Sequence, residues 1–262
     1  MSQLTGKGAF FRLPLLICEK REILDSDGKM NCINYANENR LFDKLNNIYK
    51  SLPSGDCSGC GNCCMESVGT NLIEFINIYN YLENKPELKK MCLDKIIDYY
   101  FLEYIDKKPC PFKDKDNRCM IYEVRPLNCR LFGHWKKEDY NKNLSNITQR
   151  NREYRDLIKS KYGFDISDKV VNYKIEYCET FIPQERYLEK SERLEFADNL
   201  MILDSNIYSK GIIDIDFKDR GIVEYFIESL LKEDTAYNIK VRVSKDKNVR
   251  NRAINRLKKI LL

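Results

Sequence analysis

Cys57-Ser58-Gly59-Cys60-Gly61-Asn62-Cys63-Cys64 is the densest chemical signal in the chain. Thiols three residues apart in a glycine-bearing loop can be aimed at one ion, and repeating the spacing brings a third to the same place. Two glycines among four cysteines imply backbone folded tightly around something. The plain alternatives are buried thiols or disulfides, but four cysteines in eight residues are poor core material. Further along, Cys110, Cys119, Cys129 and Cys178 bring the array to eight of the 11 cysteines. Soft sulfur ligands suit zinc or an iron–sulfur cluster and argue against calcium or magnesium. Eight thiols could hold two four-thiolate sites, or one cluster with spares, and the adjacent Cys63 and Cys64 could serve different centres. Outside the array, Cys92 lies on an apolar helix face and Cys18 ends the apolar run Leu13–Cys18, so both read as core thiols. Cys32 is open to either reading.

Around this run the sequence is helical. Leu41, Phe42, Leu45, Ile48 and Tyr49 space one face of a helix over Asn37–Tyr49, stopped by Pro53-Ser54-Gly55. Residues 71–105 read as two helices divided at Pro86, each with apolar residues recurring at three and four. Residues 144–160 read as a polar helix with Ile147, Tyr154, Leu157 and Ile158 inward. Helices are also expected from Pro183 to Leu203, with Leu188, Leu194, Leu200 and Leu203 among the apolar positions, and from Ile222 to Leu231. Another is expected from Val249 to Leu262. Residues 212–217 and 238–243 alternate enough to suggest short strands. The expected fold is therefore mainly α, with helices around an irregular cysteine-rich metal-binding core and a minor β element. The organisation expected is an N-terminal segment (1–50), a cysteine-cluster domain (51–182) and a mostly helical C-terminal segment (183–262).

The chain has 262 residues, 32% of them charged and 43% hydrophobic, which fits a globular protein and excludes a largely disordered one. No stretch approaches the roughly 20 apolar residues of a membrane span, and no basic lead with a long apolar core marks a signal peptide. Integral membrane association is not expected, and a cytoplasmic location, with reduced cysteines, is the expectation. The net charge of +5 is uneven: Lys232 to Leu262 carries ten basic and three acidic residues. Such a tail can meet nucleic acid or an acidic surface, or dock its apolar side on the protein; no aromatic interleaving supports base stacking. Dinucleotide, P-loop, zinc-protease and zinc-deaminase signatures are absent, as is the C-x3-C-x2-C of radical S-adenosylmethionine enzymes. The C-x2-C-x2-C opening does not continue as a bacterial ferredoxin run, since Ser67 and Val68 stand where Cys and Pro belong. His134 is the sole histidine, which excludes a Cys2His2 finger.

The run Cys57-x2-Cys60-x2-Cys63-Cys64, then Cys110-Pro111-Phe112, then Cys119-Met120-Ile121-Tyr122-Glu123-Val124-Arg125-Pro126-Leu127-Asn128-Cys129-Arg130, resembles the YkgJ-like cysteine-cluster family. That family is described as zinc- or iron-chelating, and some members are labelled iron–sulfur oxidoreductases. Flagellin lysine N-methylases carry a similar pattern. The resemblance covers about residues 55–135 and implies that Cys57, Cys60, Cys63, Cys64, Cys110, Cys119 and Cys129 chelate the metal. Cys178 lies where a later cysteine of related proteins stands.

The surrounding residues have roles of their own. Arg125 and Arg130 flank Cys129 and can offset thiolate charge, bind an anionic substrate, or pair with Glu123 or Asp114. Pro126 can set the turn that aims Cys129. Phe112, Tyr122, Phe132 and Trp135 can shield the centre or simply pack. His134 can ligate metal, transfer a proton, or pack by Trp135. Two functions follow. One is a metal or iron–sulfur enzyme, an oxidoreductase or a peptide- or protein-modifying enzyme, with an electron-transfer, peptide or protein partner. The other is a structural-zinc module that contacts a partner through its basic C-terminal helix. A third, metal storage or delivery, needs labile sites.

Overall fold

A computed structural model describes residues 26–213 and 220–262. Cys18 and most of the segment expected as a strand at 212–217 lie outside the described residues. The spine is an antiparallel-connected pair, α3 (Leu72–Glu83) and α4 (Pro86–Leu102). Asn71 caps α3 and exchanges a capping box with Glu74. Pro86 opens α4 at a position where its missing N–H costs nothing. Helices α1 (Ser26–Glu38), α2 (Leu41–Lys50) and α8 (Lys190–Tyr208) pack on α3. Helices α9 (Ile222–Glu228), α10 (Glu233–Lys245) and α11 (Lys247–Leu261) pack on α4.

One aliphatic and aromatic core runs through all of these. Phe75 stacks on Tyr225 at 4.9 Å and meets Phe226 edge-on at 5.2 Å. Phe112 reaches Phe226 at 5.9 Å, so the cysteine-bearing segment is anchored to the core by this ring. Cys32 and Cys92 are fully buried in it. The array cysteines are not the core: Cys110 and Cys119 pack at its margin, while Cys57 and Cys60 are exposed. The fold is mainly helical as expected, but it is organised by hydrophobic burial, and the cysteines lie at one end.

Four local expectations change. The helix expected from Asn37 is two helices, because Arg40 takes a left-handed conformation (φ 54°) between α1 and α2. Residues 238–243 are not a strand but the body of α10, where Ala236, Ile239, Val243 and Ser244 bury one helical face; that gain outweighs the β-branched alternation of Val241 and Val243. The small sheet is instead β1 (Gly55–Asp56) paired antiparallel with β2 (Ile182–Pro183), Gly55 opposite Pro183. Helix α6 (Lys137–Tyr162) buries Tyr140 and Ile158 near its ends, whereas Ile147, Tyr154 and Leu157 are exposed, with Tyr154 in contact with the Tyr104 ring at 6.1 Å. Leu194 of α8 is likewise exposed. The basic tail is docked: Ala253, Ile254 and Leu257 of α11 are buried, and Lys258 is held by Asp94 at 2.9 Å and Asp98 at 2.7 Å.

Candidate metal centre

Strand β1 delivers the chain to Cys57. Gly61 then has φ 71°, and a Cβ there would lie 3.0 Å from both Asn117 Cβ and Lys113 Cε, so only glycine lets the loop press on the 113–117 turn. That turn is built by Asp114, whose carboxylate accepts from the Asp116 and Arg118 amides at 2.9 and 2.7 Å. The Cys110 amide donates to the Cys64 carbonyl at 3.0 Å, and the Lys113 ammonium to the Gly61 carbonyl at 3.3 Å. Cys129 sits on α5 (Leu127–Leu131), after Pro126. Cys178 lies just before β2, its Sγ 3.7 Å from Thr180 Oγ1, which in turn is 3.0 Å from Ser58 Oγ. The structure thus draws four segments of the array together.

Two fastenings hold them, and neither is visible as a cysteine motif. The Phe181 ring fills the space left by Gly55 and Gly133, where added Cβ atoms would fall 2.1 and 2.3 Å from it, and it meets His134 edge-on at 4.6 Å. Buried Glu74 accepts from Tyr49 Oη (2.7 Å), the Leu127 amide (2.6 Å) and the Asn71 amide (3.1 Å). It therefore ties the start of α5, two residues from Cys129, to the start of α3. Asp204 of α8 accepts from the Ile73 and Leu72 amides at 2.7 and 3.0 Å beside it. Burial raises the pKa of both carboxyls, Asp204 to about 6. The sequence signal for Glu74 was the Asn71-x-x-Glu74 capping box; Phe181 left none.

The thiols share one electrostatic field. Cys63 Sγ and Cys64 Sγ are 3.9 Å apart. The hydrogen bond from Cys63, helped by Lys113 and Arg125, lowers Cys64; the same bond, with burial and with Cys64, Cys129 and Cys57, raises Cys63. Burial pushes Cys110 up to about 12, with Cys64 and Cys119 adding to it. Burial also raises Cys119 and Cys129, and each is raised further by Cys64. Cys63 and Cys178 both act on the buried Tyr140 hydroxyl. Thiols that raise one another cannot ionise together without a cation to offset the charge.

Arg125 is the guanidinium that faces them: it favours the thiolates of Cys64, Cys119 and Cys129, lies 4.1 Å over the Tyr122 ring, and has a buried Nε without a hydrogen bond. Arg130 turns away. It donates to the Arg125 carbonyl at 2.9 Å and to the Glu123 carbonyl at 2.7 Å, and covers Tyr49 at 3.9 Å. The ion-pair alternative with Glu123 thus becomes a bond to that residue's backbone. His134 is buried with an unpartnered Nδ1, and burial with Arg125 lowers its pKa. Phe112 belongs to the core, Tyr122 is exposed, and Phe132 and Trp135 meet Tyr140 edge-on.

The donors have the soft chemistry of a zinc or iron–sulfur site. Among the described residues, however, no group of three or more Cys, His, Asp or Glu side chains is already drawn into ligating geometry. The thiols are neighbours but not a closed coordination shell. Among the described residues no helix is long and apolar enough to cross a membrane. No solved structure matches the chain. Residues 56–147 match the CxxCxxCC family, described as a "Putative zinc- or iron-chelating domain", a span that takes in seven of the eight array cysteines and ends before Cys178. This segment of the chain is a member of the CxxCxxCC family.

Proposed function

We propose that the protein binds zinc or an iron–sulfur cluster through Cys57, Cys60, Cys63, Cys64, Cys110, Cys119 and Cys129, with Cys178 as a further ligand. The observation that supports it is the convergence of the 57–64 loop, the 110–119 turn, α5 and the stretch before β2, with thiols that raise one another's pKa around Arg125. A cation relieves that mutual repulsion and draws the exposed Cys57 and Cys60 inward. Cys92 and Cys32 stay in the core. We assign the loaded centre to an oxidoreductase or a peptide- or protein-modifying enzyme in a reducing compartment, where an iron centre supplies electron transfer or Lewis acidity. A buried, neutral His134 fits proton transfer or packing better than charge.

Anaerobic purification, with iron, zinc and acid-labile sulfide counted per chain and an absorption spectrum on the same sample, tests this. Near-equal iron and sulfide with visible absorption is the expected result for an electron-transfer centre. Cys64→Ala and Cys129→Ala should each lower the bound metal about tenfold or more, and Cys92→Ala should not. A chain that binds neither metal, or whose metal content ignores Cys64 and Cys129, overturns the reading. The second reading, structural zinc in a module with α11 as its contact surface, rests on the exposed Arg252, Arg256 and Lys259 on the outer side of that docked helix. Zinc without sulfide favours it.

A further inference from the structure

Beside Cys110, residues of α4, the 108–113 segment and α11 line a cleft of about 370 Å³. Four lysines line it, and they are not equivalent. Lys258 is neutralised by Asp94 and Asp98, and Lys108 by Asp106 at 3.1 Å. The Lys95 ammonium donates to the Lys113 carbonyl at 2.8 Å, and the Lys113 ammonium donates to the Gly61 carbonyl at 3.3 Å and neighbours the Cys64 thiol. Among the described residues neither has a carboxylate within ion-pair distance, and both are half-buried. Two cations in a partly desolvated cleft, hydrogen-bonded to carbonyls and with no carboxylate paired to them, leave positive charge for a ligand to offset. Asn251 and Asn255, one turn apart on α11, add amide donors, and Leu102 and Ile254 supply apolar wall.

We propose that this cleft binds a small organic anion, its carboxylate or phosphate engaged by Lys95 and Lys113 and its apolar body against Leu102 and Ile254. The volume suits a metabolite-sized molecule. Lysine ammoniums are point charges that accept either anion, unlike a planar guanidinium fork. The site goes beyond the metal reading and does not require it, because both cations and both amides are in place on the helical scaffold. Since Cys110 forms part of the wall, a ligand held here lies beside the cysteine array.

The test is a titration of the purified full chain with phenyl phosphate and with phenylacetate, using phenol as the neutral control and following the side-chain amide resonances of Asn251 and Asn255. Saturable shifts at both amides with either anion, and about tenfold weaker binding of phenol, are expected. Phenyl phosphate and phenylacetate arms separate a phosphate from a carboxylate ligand, and binding of either supports the site. Lys95→Gln with Lys113→Gln should weaken anion binding about tenfold or more. Because Lys113 neighbours Cys64, an independent variant is Asn255→Glu at an exposed α11 position, which adds a repelling carboxylate without touching the core. Loss of anion binding with unchanged metal content and unfolding is expected there. Phenol binding as tightly as the anions, silent Asn251 and Asn255 amides, or undiminished binding in Asn255→Glu overturns the proposal and leaves the metal reading standing.

Discussion

Phe75 and Cys57 stand only eighteen positions apart in the sequence, and their surroundings are completed by different means. At Phe75 the chain's own atoms suffice: Tyr225 and Phe226 meet the ring, and the neighbouring Glu74 has three donors. At Cys57 the backbone is shaped by Gly61, the 113–117 turn and Phe181, but the side chain reaches solvent. Apolar groups gain by closing on one another. Ionised thiols lose by doing so unless a cation joins them. The helical region should therefore be finished by folding, and the cysteine region by a ligand.

The largest effect should come from the finished region. Phe75→Ala removes a fully buried ring and should cost about 3–5 kcal/mol, seen as a lower denaturant midpoint with an unchanged slope. It should do so whether or not metal is bound. A loss that appears only in metal-loaded protein would mean that the core, too, depends on the ion.

The carboxylates under α3 sharpen the contrast through pH. Burial lifts Asp204 from 3.8 to about 6, so the folded chain holds this proton where the unfolded chain releases it. The associated stability is fully present below about pH 4 and is lost as pH rises through about 6, an effect on the order of 3 kcal/mol. Glu74, also raised by burial, acts in the same direction. Asp204→Asn should flatten this slope in chemical unfolding between pH 4 and pH 7. Parallel pH profiles for the two proteins would show that the bonds from Leu72 and Ile73 hold Asp204 ionised throughout.

How much of this could be read in advance divides along the same line. Leu72 to Leu82 and Leu88 to Leu102 were legible because three- and four-residue spacing reports helix burial directly. The cysteines were legible as a group because sulfur at such spacing has few other uses. What escaped was what depends on partners distant in sequence. Phe181 acts through gaps at Gly55 and Gly133, and no local pattern announces them. Val241 and Val243 looked like a strand, since alternation over six residues cannot reveal that α4 lies opposite. Ile147, Tyr154 and Leu157 share helical spacing on α6, yet all three stay exposed, and Tyr154 meets the edge of the fold at Tyr104. A cysteine-rich metal-binding core was the expectation, and spacing fixes which thiols can meet, not whether they meet without an ion; among the described residues they are not gathered into such a core.

The smallest effect tests the comparison most directly. Cys60 is exposed and Gly59 beside it has open space around it, so Cys60→Ser removes little packing. In metal-stripped protein it should change unfolding stability by less than about 0.5 kcal/mol. In metal-loaded protein the same substitution removes a ligand and should lower stability by the share of binding free energy lost, since an ion held only by the folded state stabilises it by mass action. The measurement is a four-way set of unfolding curves, wild type and Cys60→Ser, loaded and stripped. A coupling between substitution and metal well above the error of the stripped pair places Cys60 in the shell that the ion completes. Equal shifts in both states would make Cys60 a surface residue and confine the centre to the half-buried thiols of Cys63, Cys64, Cys110, Cys119 and Cys129.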